Sequence, residues 1–157
     1  MASAVSAAIA VVGTLLGSAL TYVFQRKSAT FSFQQQLRSE RMSAYSAFIV
    51  GATEFRRGQY DRWHRQREAP GSGVASEATM EAYNLKSAAL HALAQVQLVA
   101  ADPMLVDAAE KTYELTSVVP KASTSHDLHS MGDKAATALQ HFIALARSDS
   151  QSAPNSR

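Results

Sequence analysis

SATFSFQQQLRSERMSAYSAFIVGATEFRRGQYDRWHRQR, Ser28–Arg67, is the stretch that decides the fold. It holds no Pro, and its only glycines are Gly51 and Gly58. Leu37, Ala44, Tyr45, Phe48, Ala52, Phe55 and, less strictly, Trp63 advance by threes and fours, the spacing of one apolar stripe on an α-helix. The stripe predicts a long helix with a packing face. The run AFIVGA around Ile49 is too short to cross a bilayer.

Upstream, Ala2–Phe24 reads ASAVSAAIAVVGTLLGSALTYVF, with no charged side chain and no Pro. Its length meets the roughly 20 residues a helix needs to cross a hydrocarbon core. Tyr22 and Phe24 fall where an aromatic belt sits, and Arg26 and Lys27 follow at once, a stop-transfer edge. Nothing basic precedes the stretch, which sets it apart from a cleaved secretory signal. Arg26, Lys27, Arg38 and Arg41 cluster on its carboxyl side, so the positive-inside rule puts the amino terminus outside and the rest in the cytoplasm. The expected location is the cell membrane, with a single pass.

Downstream, EAPGSGVA, Glu68–Ala75, combines Pro70 with Gly71 and Gly73 and reads as a linker where the chain turns back. Ser76 and Glu77 read as the next helix start, with Met80, Tyr83, Leu90, Ala94, Gln97, Leu98 and Ala101 as its packing face. Asp102–Pro103 is the sharpest start signal, an acceptor at the cap followed by Pro at the first helical position. Val106, Ala109, Tyr113 and Thr116 form the inner face of that shorter helix. The last helix, from about Ser125 to Arg147, presents Leu128, Met131, Ala135, Leu139, Phe142 and Ala146. The fold expected is all-α: one N-terminal transmembrane helix, residues 2–24, continuous with or hinged to a cytoplasmic antiparallel bundle of about four helices, residues 25–147. Within it 68–75 is the linker, and the polar tail 148–157 is expected to be disordered.

The 157 residues include no Cys, which removes disulfides, thiolate nucleophiles and Cys-ligated metals. The net charge of +2 hides an asymmetry. Gln25–Arg67 carries nine Lys/Arg against three acids, whereas Glu68–Arg157 carries six against ten. The two parts should attract each other, within one chain or between subunits.

No phosphate loop, dinucleotide glycine pattern, nucleophile elbow or zinc-protease motif is present, so neither an enzyme nor a cofactor is expected. Among five histidines, His126 and His129 with Asp133 are spaced three and four along one helical face, a weak metal-ligand geometry lacking a matching Glu-x-x-His. Gly13 and Gly17 make a GxxxG extended by Thr21, a small-residue row through which spans associate, so a homo-oligomer is expected. A channel or membrane-disrupting oligomer built on that row is the alternative. The segment RRGQYDRWHRQRE, Arg56–Glu68, interleaves Arg56, Arg57, Arg62 and Arg65 with Tyr60 and Trp63. Such surfaces serve as protein-interaction hot spots and, less in keeping with this chain, as nucleic-acid tethers. A straight helix rising about 1.5 Å per residue would carry this segment tens of ångströms from lipid headgroups. A protein partner is therefore the favoured occupant.

The motif ERMSAYSAFIVGATEFRR, Glu40–Arg57, resembles small actinobacterial proteins with one amino-terminal span, a Gln/Arg-rich neck and an R-x-x-A-Y-x-x-F helix. Arg41, Ala44, Tyr45 and Phe48 hold those positions. The resemblance spans roughly the first 65 residues and implies a single-span membrane protein with a helical domain; the class is functionally uncharacterised. The expected function is a non-enzymatic membrane protein that self-associates and recruits a partner at the inner membrane face.

Overall fold

The computed structural model describes the backbone of residues 2–151 and the side chains of residues 33–150. Four α-helices follow in order: α1 Ala2–Glu68, α2 Gly73–Val99, α3 Pro103–Val118 and α4 Ser125–Gln151. A 3-10 turn, Val119–Lys121, joins α3 to α4. No strand occurs among the described residues. The chain divides into two compact units, Met1–Ser39 and Glu40–Arg157. The first is helical from Ala2; the second is the bundle described below.

Each bundle helix starts or stops for a local reason. Gly71 adopts φ +75°, a conformation that favours Gly, and reverses the chain after α1. Ser72 then caps α2, its hydroxyl accepting from the Ala75 N–H at 3.2 Å, so α2 begins at Gly73 rather than at Ser76. Asp102 caps α3 by accepting from the Met104 N–H at 2.9 Å, with Pro103 next, as the sequence predicts. Thr124 and Asp127 form a reciprocal box at the start of α4: the Asp127 N–H donates to the Thr124 hydroxyl at 3.1 Å, and the Thr124 N–H to the Asp127 carboxylate at 3.2 Å.

The apolar core takes Tyr45, Phe48 and Ala52 from α1, Ala92, Leu93 and Val96 from α2, Leu105, Ala108 and Ala109 from α3, and Leu139, Phe142 and Ala146 from α4. Phe48 and Phe142 are fully buried and meet edge to face, ring centroids 4.9 Å apart. A second cluster, Trp63, Val119, Ala122 and Leu128, closes the far end. Cross-links fix the antiparallel order. Arg41 Nε donates to the Val99 carbonyl at 3.0 Å, pairing the start of the bundle part of α1 with the end of α2. The Tyr45 hydroxyl donates to the Asp149 carboxylate at 2.9 Å, pairing the same end with the end of α4.

This last bond corrects the tail: α4 continues past Arg147 to Gln151, because Asp149 has a partner on α1. Residues 152–157 lie outside the described residues.

The packing face of α2 is also corrected. Its buried residues are Ala75, Ala78, Ala82, Ala89, Ala92, Leu93 and Val96. Met80, Tyr83, Leu90 and Leu98 point outward, and Ala94, Gln97 and Ala101 are exposed as well. The reason is the partner helix. A Cβ on Gly51 would stand 3.4 Å from the Ala89 Cα, and one on Gly58 would stand 3.6 Å from the Ala82 Cα. The backbones of α1 and α2 come close through Gly51 and Gly58 against Ala89 and Ala82, with Leu85 lying over Gly58, so most inner positions of α2 are taken by Ala.

Among the described residues, no helix is long and apolar enough to cross a membrane. The expected span Ala2–Phe24, with Gly13, Gly17 and Thr21, lies outside the residues whose side chains are described.

Candidate functional site

The basic-aromatic segment on α1 turns mostly inward, onto the junction between α3 and α4. Trp63 is buried and donates its indole N–H to the Ala122 carbonyl at 2.9 Å. Arg67 stacks on the same indole, its guanidinium carbon 3.9 Å from the ring centroid. Its Nη2 donates to the carbonyls of Ala122 and Ser123 at 3.1 and 2.9 Å. The Tyr60 hydroxyl donates to the Leu128 carbonyl at 3.2 Å. Arg56 reaches the Gly132 carbonyl at 3.5 Å. These donors serve carbonyls around the 3-10 turn and in α4, including Ala122 and Ser123, which lie outside the α-helices. Burial raises the Tyr60 phenol above its ordinary 10.0, with nearby Asp133 raising it further and Arg56 opposing.

The remaining residues of that segment face differently. Arg62 lies 5.4 Å over the Tyr83 ring on α2, with its Nε buried and unpartnered. Arg57 pairs with Glu54 at 2.5 Å on the surface. Arg65 reaches Asp61 and Glu68 at 3.5 and 3.6 Å. Tyr60 and Trp63, the two rings a nucleobase would need, are thus engaged in packing, while the exposed arginines Arg57 and Arg65 have acidic neighbours on α1 itself.

His126, His129 and Asp133 line a shallow groove of about 780 Å³ between α3 and α4, together with His141, Lys111 and Lys134. They do not converge: among the described residues, no group of His, Asp or Glu is placed to hold a metal ion. His129 Nδ1 instead lies 2.6 Å from the Ser125 carbonyl, and its ring meets Tyr60 edge to face.

The feature the sequence pattern pointed the wrong way is the outer face of α2. Met80 is 65% exposed, Tyr83 56%, Leu90 51% and Leu98 85%. Together with Ser87 and Ala94 they recur at intervals of three and four, the spacing of a helix seam, and of these residues Tyr83 lies under Arg62 of α1. Large apolar side chains held outward at this spacing make the face a candidate for interaction. The signal was present in the sequence as two competing stripes on one helix, one of Ala and one of large residues.

The family described as KilB plasmid transfer protein matches residues 42–150, which is nearly the whole bundle. The chain belongs to that family. No curated protein and no solved structure matches the chain. The matched stretch begins inside the Arg41–Phe48 motif and extends well beyond the first 65 residues.

Proposed function

We propose that the chain is a non-enzymatic, single-pass membrane component of plasmid transfer, whose bundle recruits a protein partner at the inner membrane face. The observation that carries this reading is the outer face of α2: Met80, Tyr83, Leu90 and Leu98 are held outward on a helix whose inner side is mostly Ala. Membership of a family described by plasmid transfer supplies the process.

Anchoring through Ala2–Phe24 rests on the uncharged, Pro-free sequence of that stretch and on the bases that follow it. Self-association through Gly13, Gly17 and Thr21 belongs to the same reading. Nucleic-acid tethering through Arg56–Arg67 has less support, because Trp63 and Tyr60 are committed to Ala122 and Leu128.

The test compares the full chain with a variant lacking residues 2–24 in a plasmid-bearing donor. The full chain should remain in carbonate-washed membranes and support transfer. The shortened chain should leave the membrane fraction and fail to support transfer while still being produced. Equal transfer by both forms would remove the anchor from the function.

A further inference from the structure

We propose that the outer face of α2, with the acidic flank of α3 beside it, docks a basic amphipathic helix of a partner protein. The proposal rests on the recruiting role above and specifies the partner's chemistry. From Met80 to Leu98 the seam runs about 27 Å at 1.5 Å per residue, enough for roughly five turns of a partner helix. Between Lys86 and Asp102 the chain carries no Asp, Glu, Lys or Arg, so the centre of the seam is free of formal charge.

The charges on its α3 side are mostly acidic, whereas on its α1 side Arg62 lies over the Tyr83 ring. Glu77 and Glu81 are exposed on α2. On α3, Glu110 accepts from the Gln97 amide at 2.7 Å, which ties its helix face to the edge of the α2 seam. Asp107 and Glu114 are exposed three residues before and four after Glu110, on that same face of α3. From Ser72 to Val118 there are six acids and two bases. Of those bases, Lys111 faces away, into the groove between α3 and α4. Lys86 of α2 and Arg62 of α1, which lies over the Tyr83 ring, are the bases that stand against the acids.

An apolar strip bordered by carboxylates fits a helix with Leu-like residues on one side and Lys or Arg on its flanks. The acids raise the local concentration of such a helix and set its orientation. A second copy of this chain is disfavoured on the same ground, since pairing α2 with α2 brings the acidic surroundings of both seams into one interface.

The test uses the full chain in phosphatidylcholine nanodiscs, with empty discs as the baseline. The probes are two fluorescent synthetic helices with Leu at positions a and d, one flanked by Lys and the other by Glu. The Lys helix should bind at least about tenfold more tightly than the Glu helix. Added salt should weaken it. Leu90→Ser with Leu98→Ser, and separately Glu81→Lys with Asp107→Lys, should each reduce its binding with the circular dichroism spectrum unchanged. Equal binding of the two probes overturns the proposal. So does a dimer of the chain that Leu98→Glu converts to monomer. Should the Leu90/Leu98 variant abolish plasmid transfer while both probes bind alike, the recruiting role stands and the basic class of partner is wrong.

Discussion

Tyr60 lays its ring across the bare backbone of Gly132. A Cβ at Gly132 would stand 2.5 Å from the Tyr60 Cζ and 2.7 Å from its Cε2, and the absence of one lets the hydroxyl reach the Leu128 carbonyl. The contact joins α1 to α4 near the turn that the basic-aromatic segment holds.

Gly132→Ala therefore destabilises the bundle even though Ala is the better helix former by about 1 kcal/mol. The rigid ring must move and its hydrogen bond is lost, for a net loss of about 1–2 kcal/mol in denaturant unfolding. Gly58→Ala is the control. Its Cβ would meet Leu85 Cδ1 at 2.6 Å, the end of a flexible side chain that can turn away. That variant should be within about 1 kcal/mol of the parent, and a loss as large as that of Gly132→Ala contradicts the account.

At Trp63 the two losses separate. Trp63→Phe gives up the bond to the Ala122 carbonyl, which Arg67 still serves at 3.1 Å, so no carbonyl is stranded and about 1 kcal/mol is lost. Trp63→Ala empties the end cluster and should lose about 3–5 kcal/mol. Equal unfolding midpoints for the two variants would show that the cluster does not depend on the size of this side chain.

Gln59 is buried on α1, and its Oε1 has no hydrogen-bond partner. Gln59→Met keeps the length and removes the unpaired acceptor. It should stabilise the bundle by about 1 kcal/mol, read as a higher melting temperature.

Tyr45 sets an alkaline limit. Burial, and next the bond to Asp149, push its phenol well above the ordinary 10.0. Tyr60 and Tyr113 are raised too, in each case chiefly by burial. A raised phenol keeps its proton in the fold while the unfolded chain releases it. The stabilisation is complete below pH 10 and is lost as pH climbs from there toward the folded value. Tyr45→Phe should flatten the fall in melting temperature above pH 10. An unchanged slope would mean that Tyr45 is not the group responsible.

Much of the bundle was legible in the sequence because large residues mark its inner faces. On α1, Tyr45, Phe48, Phe55 and Trp63 are buried, and on α4 so are Leu128, Leu139 and Phe142, as their spacing implies. Asp102–Pro103 begins α3 by the chemistry its residues advertise. On α2 the rule that larger means inner fails. Gly51 and Gly58 draw the α1 backbone close, so small residues of α2 take most inner positions, while Met80, Tyr83, Leu90 and Leu98 are turned out. The pattern held two stripes, and the choice between them depended on a neighbouring helix.

The basic-aromatic segment was visible as a motif, but its destination was not. Arg67 and Trp63 meet Ala122 across a sequence separation of more than 50 residues, which no local spacing encodes. The helix end at Gln151 has the same origin, since Asp149 is held by Tyr45 from the other end of the bundle sequence.

The outer face of α2 is the centre of the account, and plasmid transfer from a donor carrying Leu90→Ser and Leu98→Ser tests it most directly. Both side chains are more than half exposed, so unfolding free energy should shift by no more than about 0.5 kcal/mol per site and cellular abundance should hold. The account predicts that transfer frequency falls to the level of a donor lacking the protein. Transfer at the parental frequency, with the variant present at parental abundance, would contradict it.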